Sequence, residues 1–402
     1  MEWEIQAMTI ITTFMKTFLM SLGVALLLGT SNNLHAEPYI PQKDSVVLEQ
    51  LPAAHNPHIK KLHELRTQLS RNPDDLTLAL RLARAYIHLG RTHADPRYDG
   101  YAQAALTPWW NVEEPPQEVL LIRATLLQRG HNFDRALQDL ARIIQAQPNN
   151  VQAWLTQSVI HQVRGNYRKA RQSCVPLLRL ANAWLSSTCI ANAVNLNGRA
   201  LESYQVLQRR IEQDASSPPQ EKLWSLTILA ETATRLGKYS EAEEYFKKSL
   251  AVNSEDTYLL GAYSDFLLDQ SRPTEVQRLL KNKVLPDGLL LRLALAEQQL
   301  NTSTLQHRIE MLKARFTENG LRGETRHLRE EARFRLHLLH RPGQALKLAK
   351  KNWDIQREPW DARILLEAAL QSGDWSAAQR IVNWVTSNNL EDAQLEKLVG
   401  QL

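Results

Sequence analysis

The sequence predicts an all-α protein built from stacked antiparallel helix pairs, and three observations predict it. Leu, Ala, Arg, Gln and Glu dominate after residue 60, whereas Val, Ile and Thr form no alternating runs. A short device recurs in which a Gly is followed by an aromatic and then by a small residue. It stands at Gly165-Asn166-Tyr167 with Ala170, at Gly237-Lys238-Tyr239 with Ala242, and at Gly373-Asp374-Trp375 with Ala378. The small residues keep a near-fixed period: Ala136 to Ala170 and Ala242 to Val276 are each 34 residues, and Ala345 to Ala378 is 33.

In chain order, residues 1–36 read as a secretory signal peptide. Lys16 supplies the positive charge, Thr17 to Gly29 the apolar core, and Ala36 the small residue after which cleavage is predicted. Glu2 and Glu4 suit such a segment poorly, which makes Met8 or Met15 the better start. The alternative is an uncleaved anchor, against which Lys16 interrupts the apolar run. No Cys stands at the cut, so a lipid anchor is not expected. A periplasmic or secreted protein follows, with membrane contact only through this segment if it is retained. Residues 37–58 read as an extended lead-in. The formal charge of +5 is mild for 402 residues and gives no reason to expect nucleic acid.

Residues 59–402 then divide into helix-pair units at about 73–110, 117–150, 151–182, 183–213, 223–256, 257–286, 287–320 (irregular), 325–356 and 359–390. A turn insertion, His93-Ala94-Asp95-Pro96-Arg97, marks the first unit, and a Pro/Ser loop, Asp214 to Pro219, precedes the fifth. The third unit carries Trp154, Ser158, Gly165, Tyr167, Ala170 and Cys174 in order, and the fifth carries Leu226, Leu229, Ala230, Gly237, Tyr239, Ala242 and Phe246. This pattern resembles the tetratricopeptide repeat family. Its physical basis is packing: two helices that approach closely need small residues at their crossing, and large ones beside it. A single pair cannot bury its apolar face, so pairs stack. The resemblance implies a right-handed superhelical solenoid with a concave groove.

No phosphate-binding glycine loop, zinc-protease motif, nucleophile elbow or Cys-x-x-Cys is present. No cofactor and no metal site are expected, and the chain reads as a non-enzyme. Cys174 and Cys189 stand about equally far from the turn near Ala181-Asn182, so they face each other as a disulfide or as two small core residues. Residues 305–351 hold twelve Lys/Arg against five Asp/Glu. They form either a basic surface or a solvated face with pairs such as Glu331–Arg335. The aromatic stretch Tyr98 to Trp110 is a ligand surface or a cap on the first unit. Trp154 and Trp375 fall at core positions of the repeat.

The resemblance also implies which residues line the groove. Carried onto this sequence, they are Gln152, Leu155 and Gln162 in the third unit, then Trp224, Thr227, Glu231 and Arg235, then Tyr258, Asp265 and Asp269, then Trp360, Arg363 and Glu367. The Lys/Asn/Arg set with which some members clamp a C-terminal carboxylate is not reproduced. The mixed charge favours a protein or peptide partner, held by an exported scaffold in envelope assembly or maintenance. The alternative is a glycan-binding module using the groove aromatics.

Overall fold

The computed structural model describes residues 57–92, 95–213, 218–283, 285–323 and 325–402. The signal segment, the lead-in to Asn56, His93-Ala94 and residues 214–217 of the Pro/Ser loop lie outside the described residues. Pro57 and His58, read from sequence as lead-in, already belong to the first helix, α1 (Pro57–Arg71).

Helical hairpins follow: α2 (Leu76–Thr92) with α3 (Arg97–Ala105), α5 (Gln117–Arg129) with α6 (Phe133–Ala146), and α7 (Val151–Val163) with α8 (Tyr167–Cys174). Next come α10 (Ala183–Val194) with α11 (Ala200–Gln213), α12 (Pro219–Arg235) with α13 (Tyr239–Val252), and α14 (Thr257–Asp269) with α15 (Pro273–Leu280). The last are α16 (Asp287–Leu300) with α17 (Leu305–Leu321), α18 (Leu328–His337) with α19 (Pro342–Ile355), and α20 (Pro359–Ser372) with α21 (Trp375–Asn388). Short helices α4 (Thr107–Trp110), α9 (Leu177–Leu180) and α22 (Ala393–Val399) complete the set. No strand occurs among the described residues.

One turn closes many of these hairpins. At Gly237 (φ 71°) the chain enters the left-handed region. There the Lys238 amide bonds the Ala233 carbonyl (2.9 Å) and the Gly237 amide bonds that of Thr234 (3.1 Å), which satisfies the last helical carbonyls. Gly165 and Gly373 repeat it. So do His131 (φ 59°) and Ser271 (φ 55°), where no glycine advertises the turn. Behind each turn, the periodic small residues Ala136, Ala170, Ala200, Ala242, Val276, Ala345 and Ala378 are all fully buried at the helix crossings.

Trp375 departs from its expected core position and is 62% exposed. The equivalent Tyr239 lies against Phe266 of the next hairpin, ring centroids 6.4 Å apart. Trp375 opens the second helix of the α20–α21 hairpin, and among the described residues no hairpin follows it.

The stack does not end as an open spiral. The late hairpins return onto the turns of the early ones. The Arg357 amide, in the α19–α20 linker, bonds the Val163 carbonyl (2.7 Å) at the end of α7. Arg326 reaches Asp99 (2.9 Å), Gln356 meets His131 (3.1 Å), and Glu391 accepts the Ala200 amide (2.7 Å) at the start of α11. Glycine is required at Gly165 for φ, and the turn lies close against the linker: a Cβ there would stand in ordinary contact, 3.4 Å from the Cβ of Arg357. Tyr167 and Leu196 share an apolar core with Leu336, Trp353 and Leu365. Contacts in a simple solenoid reach only neighbouring units; here units far apart in sequence share a core.

Candidate functional site

The first helices of the hairpins, α12, α14, α16, α18 and α20, carry charged residues that meet across the concave side. Asp265 on α14 accepts from Arg292 on α16 (2.6 Å) and from Arg333 on α18 (2.6 Å). Asp269, one turn further along α14, takes a two-pronged bond from Arg363 on α20 (2.7 and 2.8 Å). Arg363 also bonds Glu367 (2.8 Å), whose second oxygen meets His337 (3.0 Å). Arg329 bonds Glu358 (3.0 Å), the capping residue of α20. Asp361 completes that capping box and receives the Asn352 amide (2.7 Å). These bonds tie α14 directly to α20, three hairpins on.

Several residues expected from sequence therefore converge. Asp265, Arg363 and Glu367 sit in the ion-pair network, and Trp360 lies beneath two guanidinium groups, Arg333 and Arg363, each 4.4 Å from its centroid. Glu231 accepts the Tyr258 hydroxyl (2.8 Å), with Arg235 nearby. Tyr258 is 61% exposed, yet burial is the first cause raising its hydroxyl well above the ordinary value. The Tyr258 ring is thus exposed on the concave side, or hollow, with its hydroxyl turned onto Glu231. Two expected residues on α12 do not join. Trp224 packs among core residues of neighbouring hairpins, and the buried Thr227 hydroxyl bonds its own helix at Leu223 (2.8 Å).

Sequence reasoning missed Arg292, Arg329, Arg333, His337, Glu358 and Asp361. Arg329, Arg333 and His337 lie in the unit 325–356, which keeps the repeat pattern only weakly; Arg292 lies in the irregular unit 287–320, and Glu358 and Asp361 stand at the start of α20, where the pattern assigns no inward position. The basic run 305–351 is neither a free basic surface nor simply a solvated face. Arg335 does pair with Glu331 (2.6 Å), but Arg315, Arg326, Arg329 and Arg333 all reach carboxylates on other helices.

The hollow shifts its own titrations. Burial pushes the Glu231 carboxyl up to about 7, with Arg235 and the Tyr258 bond pulling the other way. Burial likewise raises Asp361 to about 6 against the pull of Arg329. Burial also opposes ionisation of Glu367, but His337 and Arg363 outweigh it and bring the group to about 2. Asp265 is lowered because Arg292 and Arg333 outweigh its burial.

Cys174 on α8 and Cys189 on α10 are joined by a disulfide with Cα atoms 5.7 Å apart. The small neighbours Ala170, Ser158 and Ala193 let the helices approach this closely. At the first hairpin, Tyr86, Tyr98 and Tyr101 form a ring cluster, Tyr101 remaining 52% exposed, and Asp95 accepts the Arg97 amide (3.0 Å).

Residues 123–174 match a tetratricopeptide repeat family model. A comparison with curated proteins finds no match. Among solved structures the chain is similar to PilW, a widely conserved type IV pilus biogenesis factor, at 18% identity, TM-score 0.39, covering 50% of this chain and 94% of PilW. It is similar to a tetratricopeptide repeat protein from Parabacteroides merdae at 11% identity, TM-score 0.37, covering 78% and 99% respectively. It is also similar to human IFIT1, solved as a dimer with PPP-AAAA, at 14% identity, TM-score 0.42, covering 81% and 85%. The family match spans part of α5 and all of α6 to α8, and the same helical hairpin recurs along the described residues.

Proposed function

We propose that this chain is an exported, non-enzymatic scaffold that binds a protein or peptide segment of the cell envelope on its concave side. Tetratricopeptide repeats generally serve protein interaction, and the signal-like segment at residues 1–36 motivates the export. The observation that carries the reading is the contrast within the hollow. Asp265, Asp269 and Glu367 are held by arginines, whereas Tyr258 stands open with its hydroxyl on Glu231. Acids locked to arginines serve no proton transfer; they fix the frame in which open groups meet a partner. No helix among the described residues is long and apolar enough to cross a membrane. For the glycan alternative, Tyr258 is the one expected groove ring left widely exposed: Trp224 is partly buried against neighbouring cores, and Trp360 lies under two arginines.

A photo-crosslinking residue in place of Tyr258 is expected to capture one protein in envelope fractions, and Glu231→Lys to abolish that adduct. The same residue in place of the exposed Trp375 should not give it. Adducts indifferent to position and to Glu231 would sink the reading. For export, N-terminal sequencing of the mature protein should begin at Glu37, and an intact Met start would count against it.

A further inference from the structure

Where the α7–α8 and α10–α11 hairpins meet there is a cleft of about 220 Å³. Its walls bring Tyr167, Arg168 and Arg171 from α8, Ala193 and Val194 from α10, and Arg199 from the turn before α11. Tyr167 and Ala193 are buried and give it an apolar floor. Arg168 and Arg171, three residues apart, share one side of α8 and are exposed. Arg199 is held by Glu202 (2.7 Å), but neither Arg168 nor Arg171 pairs with a carboxylate among the described residues. Two uncompensated guanidinium groups therefore stand over apolar ground.

The walls are fixed on both sides. The Cys174–Cys189 disulfide joins α8 to α10 about two turns beyond Tyr167 and about one turn before Ala193. The late hairpins back the turns: Arg357 and Trp384 lie against Gly165, and Glu391 holds the Ala200 amide. A cleft with fixed walls loses little entropy on binding. Its volume falls below the roughly 300–1,000 Å³ of pockets that enclose whole small molecules, so it suits one or two side chains. Guanidinium forks match carboxylates in two-pronged bonds, and the floor suits an aliphatic side chain.

We propose that this cleft docks an acidic peptide segment of a partner protein, in which a carboxylate side chain neighbours an aliphatic one. The cleft shares no lining residue with the concave network, although the Tyr167 hydroxyl at its floor reaches the Arg357 carbonyl (3.4 Å) beside that network.

Fluorescence anisotropy on the full chain, with a labelled peptide alternating Glu and Leu, tests the proposal. The peptide should bind, and bind more weakly as salt rises. Arg168→Glu with Arg171→Glu should weaken binding about tenfold or more. Arg168→Gln with Arg171→Gln should weaken it less, while Arg278→Glu on α15 leaves it unchanged. Reduction of the disulfide should weaken it by freeing the walls. Glu231→Lys should leave it intact, which separates this outcome from that of the concave side. Thermal melts will show whether each variant is folded, and the Gln pair decides the matter if the Glu pair is not. The proposal is overturned if the Glu–Leu peptide does not bind, if a folded arginine variant binds it equally, or if a Lys–Leu peptide binds as well. Displacement by inorganic phosphate at the peptide's own concentration would also overturn it, since that marks a simple anion site.

Discussion

Glu231 carries a cost that the fold sustains. An ordinary glutamate titrates at 4.5, whereas in the folded chain this group titrates at about 7. Between those values the folded state binds more protons than the unfolded one, so stability falls as pH rises from 4.5 to 7. Glu367 has the opposite sign. Lowered to about 2, it adds stability above its unfolded value that is lost as pH falls toward 2. Glu243, brought to about 2 by Arg272, behaves in the same way. Glu231→Gln removes the first effect alone. The variant is expected to exceed the parent by about 1–2 kcal/mol at pH 8, discounted for partial exposure, and to match it near pH 4. Urea melts at the two pH values check this, and an unchanged difference between them would refute it. The Asp265 and Asp269 pairs are a different case. Their net worth over apolar replacements is small, but removing one partner strands a buried charge. That makes them fixers of geometry more than sources of stability.

At the scale of the element, the hairpin turn sets the architecture. A Cβ on Gly237 would meet nothing within 4 Å, so Gly237→Ala adds only backbone strain, about 1 kcal/mol. Ser271 holds the same left-handed position and is exposed. Ser271→Gly should relieve that strain and raise stability by about 0.5–1 kcal/mol net of glycine's own entropy. Thermal melts of the two variants should therefore shift in opposite directions; a shared direction would contradict the turn assignment. These turns show what was legible in the sequence and what was not. Gly165, Gly237 and Gly373 announced the device because only glycine enters that region freely. His131, Ser271 and Asn301 enter it too, but such residues stand in many other places as well and so mark the turn far less sharply than glycine. The buried alanines were legible for the opposite reason: a fixed period in a small residue has few explanations other than close packing.

At the scale of the molecule, the late hairpins close onto the early ones, and this was not legible. Periodicity reports contacts between neighbouring units. Nothing in it says that Arg326 will meet Asp99, or that Asn389 will lie against Gly198, where a Cβ would be only 3.0 Å away. The inward positions on α12, α14 and α20 were legible because the family pattern assigns a face to each helix. Whether that face is open could not be read, since it depends on how tightly the superhelix winds. The winding brings Arg363 onto Asp269 and leaves a hollow bordered by Tyr258 and Glu231. Hydrogen exchange at the Arg357 amide is the sharpest test of this closure. That amide lies in a linker outside any helix, and its partner is the Val163 carbonyl. A closed superhelix gives exchange as slow as in the flanking helices α19 and α20, and a large loss of protection when Gly165→Trp pushes the turn away. Exchange at the rate of an unprotected linker in the intact chain would contradict the closure.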